Sequence, residues 1–322
     1  MLQRLWHALD PLFPELEIFA RRLPIRVIIP LFVALTIIFT LGASFLPLNS
    51  LIGFDWKHFF GNNNLPPFYP PWTLGIVRYM TFPLLIGITL SAVFLAVIQR
   101  SVHIISAAAA VLCLPVLWTI FLGQLEGLVV LGMLGLPWLI PLAIIKPQIS
   151  FFGLGARRSY ILAFLIFLSV SMVIWGNWPA ETLSANQYYA GGRYQQDISL
   201  GLWGLPLFIA TLWFSRGDMD MLMASGSFIS PHIIFYNLLP LTPAVARLTP
   251  RAAIIALILS YFTLSSNSLG PKGWWLGWAF VFWVWINLAA QRYPELRYSK
   301  WLNFFVGHTS SRSLGQTIIK KC

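Results

Sequence analysis

The chain has 322 residues, of which 58% are hydrophobic, 16% aromatic and only 10% charged, whereas a soluble domain carries about 25% charged residues. That deficit, with a mean hydropathy of +0.75, excludes an ordinary soluble enzyme and indicates a surface that faces lipid. The net charge of +11 does not indicate a nucleic-acid partner, because the basic residues fall in small clusters between apolar spans, as orientation signals do.

Apolar runs long enough to cross a bilayer recur along the chain, and helices are the spanning form that satisfies every backbone group within its own segment. No ten-residue alternation of a transmembrane barrel is visible. The expected fold class is an all-α polytopic membrane protein with about 8–10 transmembrane helices. Two cysteines, Cys113 and Cys322, make no disulfide framework and no metal spacing. The N-terminus through Arg26 is too polar, and the first span too long, for a cleaved signal peptide.

Residues 1–25 read as an amphipathic interfacial segment, with Trp6, Leu12, Phe13 and Phe19 in the headgroup layer and Arg4, Arg21 and Arg22 wet. A transmembrane domain is expected over 26–290 and a basic cytoplasmic tail over 291–322. Within the domain, span 1 covers 26–48 and a polar loop follows to residue 80. Spans 2 and 3 cover 81–98 and 104–121. The next apolar block, 127–145, is broken by Pro137 and Pro141 and closes at Lys146-Pro147. Span 5 covers 160–177, a second polar loop 178–199, and span 6 residues 200–215. Residues 218–250 hold two short apolar pieces joined at Ser230-Pro231-His232 and read as a re-entrant pair of half-helices. Two further spans are expected over 251–267 and 274–290.

With the N-terminus inside, the inner side collects Arg21, Arg22, Arg26, Arg100, Arg157, Arg158, Arg216, Arg247, Arg251 and the tail, and Lys146 is counted with them. The outer side holds only Lys57, Arg78, Arg193 and Lys272, in accord with the positive-inside rule. Asp55, Gln124, Glu126, Glu181 and Asp197 then lie on the outer face. If 127–145 is instead a hairpin, Lys146 moves to the outer side.

The chain has 10 carboxylates, so each is informative. Asp55 follows the first span in a loop of aromatics, prolines and asparagines. A carboxylate at a membrane surface suits a general base that deprotonates a sugar hydroxyl; it also reads as a solvated loop acid beside Lys57. Tyr69 lies in the run Pro66 to Trp72, whose prolines fix the backbone and whose aromatics suit either an interfacial belt or stacking on a sugar. Gln124 can donate to and accept from a sugar. Glu126 is the acid expected near Asp55, as a second carboxylate, a ligand for a divalent metal, or an ordinary helix-capping acid. Lys146 suits a lipid phosphate or snorkels at a boundary. Arg193, among Tyr188, Tyr189 and Tyr194, suits an anionic donor or is simply solvated. His232 either faces a cavity, where it suits a hydrogen bond to a phosphate, or is satisfied in the interior.

The order of these motifs resembles the GT-C membrane glycosyltransferases, in particular glycosyltransferase family 87, the polyprenyl-phosphate-mannose-dependent alpha-mannosyltransferases. The matching positions are Asp55 after span 1, Tyr69-Pro70-Pro71 before span 2, Gly123-Gln124 after span 3 and Lys146-Pro147 after the next block, with Ser230-Pro231 similar to the family's later helices. The resemblance covers most of residues 26–250. It implies a multi-pass protein of a bacterial plasma membrane with its site on the outer face. The donor would be a polyprenyl-phosphate sugar and the acceptor a glycolipid or glycan. Asp55 would be the catalytic base, Lys146 a holder of the donor phosphate, and Gln124 part of the sugar site. The chain is short for this family, and the stretch between Gln124 and Lys146 is compressed.

Two other readings compete. A transporter or flippase of a lipid-linked substrate would place polar groups at mid-membrane and often show inverted repeats; no repeat is visible here, and the polar groups gather at one surface. A non-catalytic relative would keep its role without Asp55.

Overall fold

A computed structural model describes residues 23–49, 51–61, 69–190 and 196–293. Most of the interfacial segment expected over 1–25, Pro66 to Phe68, Arg193, Tyr194 and the tail beyond Tyr293 lie outside the described residues. The described residues are predominantly helical, with no strand and a single isolated bridge between Asp197 and Ile234. Five stretches are long and apolar enough to cross a membrane: Ile25–Ala43, Phe82–Arg100, Ile104–Leu122, Arg158–Trp175 and Pro250–Arg292. The chain is therefore an all-α polytopic membrane protein. Several other pieces counted toward eight to ten spans are shorter helices.

The first helix, α1 (Ile25–Ala43), buries none of its apolar window, so it lies at the edge of the bundle. The short α2 (Trp72–Val77) precedes α3 (Phe82–Arg100), the central helix, 61% of whose window is buried. Thr81 caps α3 by accepting from the Leu84 amide, and Arg100 closes it with a favourable charge at the C-terminus. Span 3 is two helices, α4 (Ile104–Leu112) and α5 (Leu114–Leu122), because Pro115 cannot continue the backbone ladder. The amide of Leu114 at this break donates to Ser260 Oγ at 3.0 Å.

The block after span 3 is a hairpin. Its legs are α6 (Glu126–Leu134) and the single turn α7 (Ile140–Ala143). A side chain at Gly132 would meet the Ala143 backbone nitrogen at 2.1 Å, so only glycine lets the legs pack backbone to backbone. The hairpin returns the chain to the level of Glu126, which Lys146 contacts at 2.7 Å. This corrects the orientation count: Lys146 belongs with Asp55, not with Arg100 and Arg157. The short α8 (Pro147–Gly153) follows and packs along α12 (Met219–Ser227), with Gly153 against Met133, Met219 and Met223.

The peripheral α9 (Arg158–Trp175) follows, and Trp175 and Trp178 then gather around Trp72. After α10 (Trp178–Ala190) come α11 (Leu205–Ser215), then the buried α12. The chain returns through a 3-10 segment, Phe235–Arg247, whose Pro240 and Pro243 are incompatible with a regular α-helix. The ends of this excursion meet, since Arg247 binds Asp218 at 2.7 Å and Asp220 at 2.8 Å. Residues 218–250 thus leave and re-enter at one level, the geometry of a re-entrant pair, although the returning limb is 3-10 rather than α. Last, α13 (Pro250–Ser260) and α14 (Trp278–Arg292) run antiparallel, as the bond from Trp283 Nε1 to Ala252 O and that from Gln291 Nε2 to Arg247 O require.

Candidate functional site

Three chain reversals at one end of the bundle bring the polar residues together. The first holds Asp55. It leads into a single π-helical turn, Trp56–Phe60, tied to α5 by the Gly53 amide, which donates to Phe121 O at 2.6 Å. Trp56 wedges between Phe60 and Phe82. The second reversal follows α5 at Gly123, whose φ of 73° is the left-handed helix ending that glycine favours. A side chain there would also meet Trp56 Cβ at 2.7 Å. Gln124 and Glu126 leave this turn. The third reversal ends the α6–α7 hairpin and delivers Lys146.

The result is one continuous chain of hydrogen bonds. Asn237 Nδ2 donates to Glu126 Oε1 at 2.7 Å, and Lys146 Nζ donates to the same oxygen at 2.7 Å. Lys146 Nζ also donates to Gln124 Oε1, and Gln124 Nε2 donates to Asp55 Oδ2. A lysine is a donor only. It therefore forces the amide oxygen of Gln124 toward itself and the amide NH2 toward Asp55. Gln124, Glu126, Lys146 and Asn237 are buried, while Asp55 at the end of the chain is half-buried.

The ammonium of Lys146 lies 5.5 Å from the Tyr69 ring centre and 4.9 Å from that of Tyr236, within cation–π range of both. Tyr69 is held edge-on by Phe60 at 5.7 Å. Glu126 balances the charge of Lys146, and two of the three ammonium donors are taken by protein oxygens. Lys146 is thus built first as an internal cation, with one N–H left for any ligand. It also stands between Asp55 and Glu126, where a bridging divalent metal would have to displace it. No cluster of three His, Cys, Asp or Glu side chains suited to a metal occurs among the described residues. Burial pushes the Asp55 carboxyl above the usual carboxylate range, against the lowering pull of the Gln124 hydrogen bond and the nearby Lys146 and His58 charges.

The sequence-predicted residues divide accordingly. Asp55, Tyr69, Gln124, Glu126 and Lys146 converge. His232 does not join them: its Nδ1 pairs with Asp197 Oδ2 at 2.8 Å. Asp197 Oδ1 accepts from the Ser199 and Ile233 amides, so the pair clasps a loop to the turn of the re-entrant segment. Burial opposes the Asp197 charge, but the His232 hydrogen bond and the Ser199 amide outweigh it and lower its pKa. Arg193 lies outside the described residues.

Sequence reasoning missed Tyr236 and Asn237, which the re-entrant segment carries into the site from far along the chain. It also missed a second buried cluster at the opposite end, where Arg247 and Arg100 meet Asp218 and Asp220. Two aspartates in a short segment of a carboxylate-poor chain were the available signal. Comparison with known proteins finds no matching family model, no similar curated protein and no similar solved structure.

Proposed function

We propose that this protein is an integral-membrane glycosyltransferase that moves a sugar, with mannose the first candidate, from a polyprenyl phosphate to the hydroxyl of a glycolipid or glycan. The observation that carries this reading is the half-buried Asp55 carboxylate. Gln124 fixes one of its oxygens, and Oδ1 has no hydrogen-bond partner among the described residues. A general base needs one oriented, accessible oxygen and a pKa raised toward the working pH. Burial raises that of Asp55.

In this reading the acceptor hydroxyl gives its proton to Asp55 Oδ1 as its oxygen attacks the anomeric carbon. The bond to the donor phosphate breaks, and the polyprenyl phosphate leaves with inversion at that carbon. Lys146 acts mainly through Gln124, whose amide it orients. The donor phosphate falls to the exposed Lys57, two residues from Asp55, and to Arg193. The site lies on the outer face of a bacterial plasma membrane in the orientation that puts the Arg100 end inside, as the distribution of cations favours.

The test is transfer from radiolabelled polyprenyl-phosphate mannose in membranes bearing the wild type or Asp55→Asn. The variant keeps an oxygen able to accept from Gln124, so the fold is preserved. Loss of transfer by about 100-fold or more is the size expected for removing a general base. Normal turnover by Asp55→Asn overturns the assignment.

A further inference from the structure

A groove of about 390 Å³ opens at the Arg100 end of the bundle, within the roughly 300–1,000 Å³ of small-molecule sites. Its floor is the last two turns of α3, one wall is α1, and the other is the closed end of the α6–α7 hairpin. It is separate from the Asp55 cluster. Glu126 at the start of α6 belongs to the cluster, and the groove meets that helix only from Leu131, roughly 8 Å further on at 1.5 Å per residue.

The wall from α1 consists of Ile25, Ile28, Ile29 and Phe32. This is the spacing of one helix face, on which Ile25 and Ile29 are more than half exposed while Phe32 packs against the core. Because no part of the α1 apolar window is buried, the groove opens into the medium that bathes that helix, the hydrocarbon of the membrane. Trp138, 84% exposed, stands at the rim. There is too little room for another helix, which is about 10 Å across. A single flexible chain fits.

Polar groups mark one end of the groove. Gln99 Oε1 accepts from the Leu23 amide at 3.3 Å, but Gln99 Nε2 is buried without a hydrogen-bond partner among the described residues. A buried amide donor in apolar surroundings needs an acceptor. Beside it, Arg100 turns Nε to Asp220 and Nη1 to Ala96 O, while Nη2 meets only the Met219 sulfur among the described residues, at 4.0 Å. Arg157 and Arg158 begin the helix that brings Tyr160 to the rim. An apolar cleft, an unmet donor and an arginine edge describe an amphiphile with an anionic, oxygen-rich head.

We propose that this groove holds one acyl chain of an anionic glycerophospholipid, whose headgroup oxygens accept from Gln99 Nε2 and Arg100 Nη2. The site does not depend on the transfer reading, since the donor sugar would have to reach Asp55 at the other end.

The test uses the full-length protein in detergent with phosphatidylglycerol carrying a photoreactive diazirine on one acyl chain, and the matching phosphatidylcholine as control. Cross-linked peptides are mapped by mass spectrometry. Label should concentrate in 25–32 and 131–139. It should fall about tenfold in Ile29→Trp, whose indole fills the cleft from an exposed helix face, with thermal unfolding unchanged. Gln99→Leu should erase most of the preference for phosphatidylglycerol. Label spread evenly over α1 and α9, or undiminished by Ile29→Trp, overturns the site. Equal labelling by the two lipids overturns the anionic headgroup.

Discussion

Lys146 Nζ reaches Glu126 Oε1 at 2.7 Å although the two residues stand 20 positions apart. An apolar hairpin closes that gap and sets the charge pattern of the site: one ammonium between two carboxylates, with the amide of Gln124 as the spacer to Asp55. Breaking a buried ion pair by removing one partner costs about 3–5 kcal/mol, because the other charge is left uncompensated. Lys146→Met should lose stability of that order in detergent unfolding measurements. The double variant Lys146→Met/Glu126→Gln should regain more than half of it. An unaffected Lys146→Met protein would mean that the pair contributes nothing to the fold.

Transfer activity should depend on pH through Asp55. Its pKa is raised, chiefly by burial, so the base is protonated and inactive over a wider acidic range than an ordinary carboxylate near 3.9 would be. The rate should rise as pH rises through a midpoint above that value. The positive charge of His58 lowers the Asp55 pKa, so His58→Ala should move the midpoint upward. A kcat profile of both forms checks the direction.

Gly132→Val should disturb the site without touching any of its polar groups. The new side chain would meet the Ala143 backbone, near 2.1 Å at Cβ, and part the legs of the hairpin that positions Lys146. Overpacking of this kind costs about 1–3 kcal/mol. The expected result is a lowered unfolding temperature together with reduced transfer. Val129→Ala, elsewhere on the same helix, opens a small cavity and leaves the legs apposed.

At the other end, Arg247 compensates both Asp218 and Asp220. Arg247→Met should destabilise by about 3–5 kcal/mol. Arg247→Lys should recover only part, since an ammonium cannot reproduce the forked contacts of a guanidinium with two carboxylates. Thermal unfolding of the three proteins in one detergent gives the comparison.

Membrane orientation can be read by labelling single cysteines placed in a Cys322→Ser background, where Cys113 is buried. Lys57→Cys and Lys272→Cys should react with an impermeant maleimide from outside the cell. Arg158→Cys should react only after permeabilisation. The reverse pattern would put the Asp55 cluster on the cytoplasmic face.

The sequence by itself determined the class of the fold, because burying so few charges and so much apolar surface leaves lipid-facing helices as the stable arrangement. It also marked Asp55, Gln124, Glu126 and Lys146, since a polar residue beside an apolar span is conspicuous against its neighbours. The end of the bundle at which Lys146 lies was left open, and a missing Cβ atom decided it: with glycine at 132 the block folds as a tight hairpin, which hydropathy cannot distinguish from a crossing. Asn237 and Tyr236 were illegible for a related reason. They stand in an unremarkable run far from Glu126, and the re-entrant segment, whose ends meet at Arg247 and Asp218, carries them to it. His232 pairs with Asp197, a partner in a distant loop that no local pattern names. Periodicity and composition are local properties and fix which segments form helices; the contacts that complete the site are made across chain reversals, and packing alone determines where those reversals bring their residues.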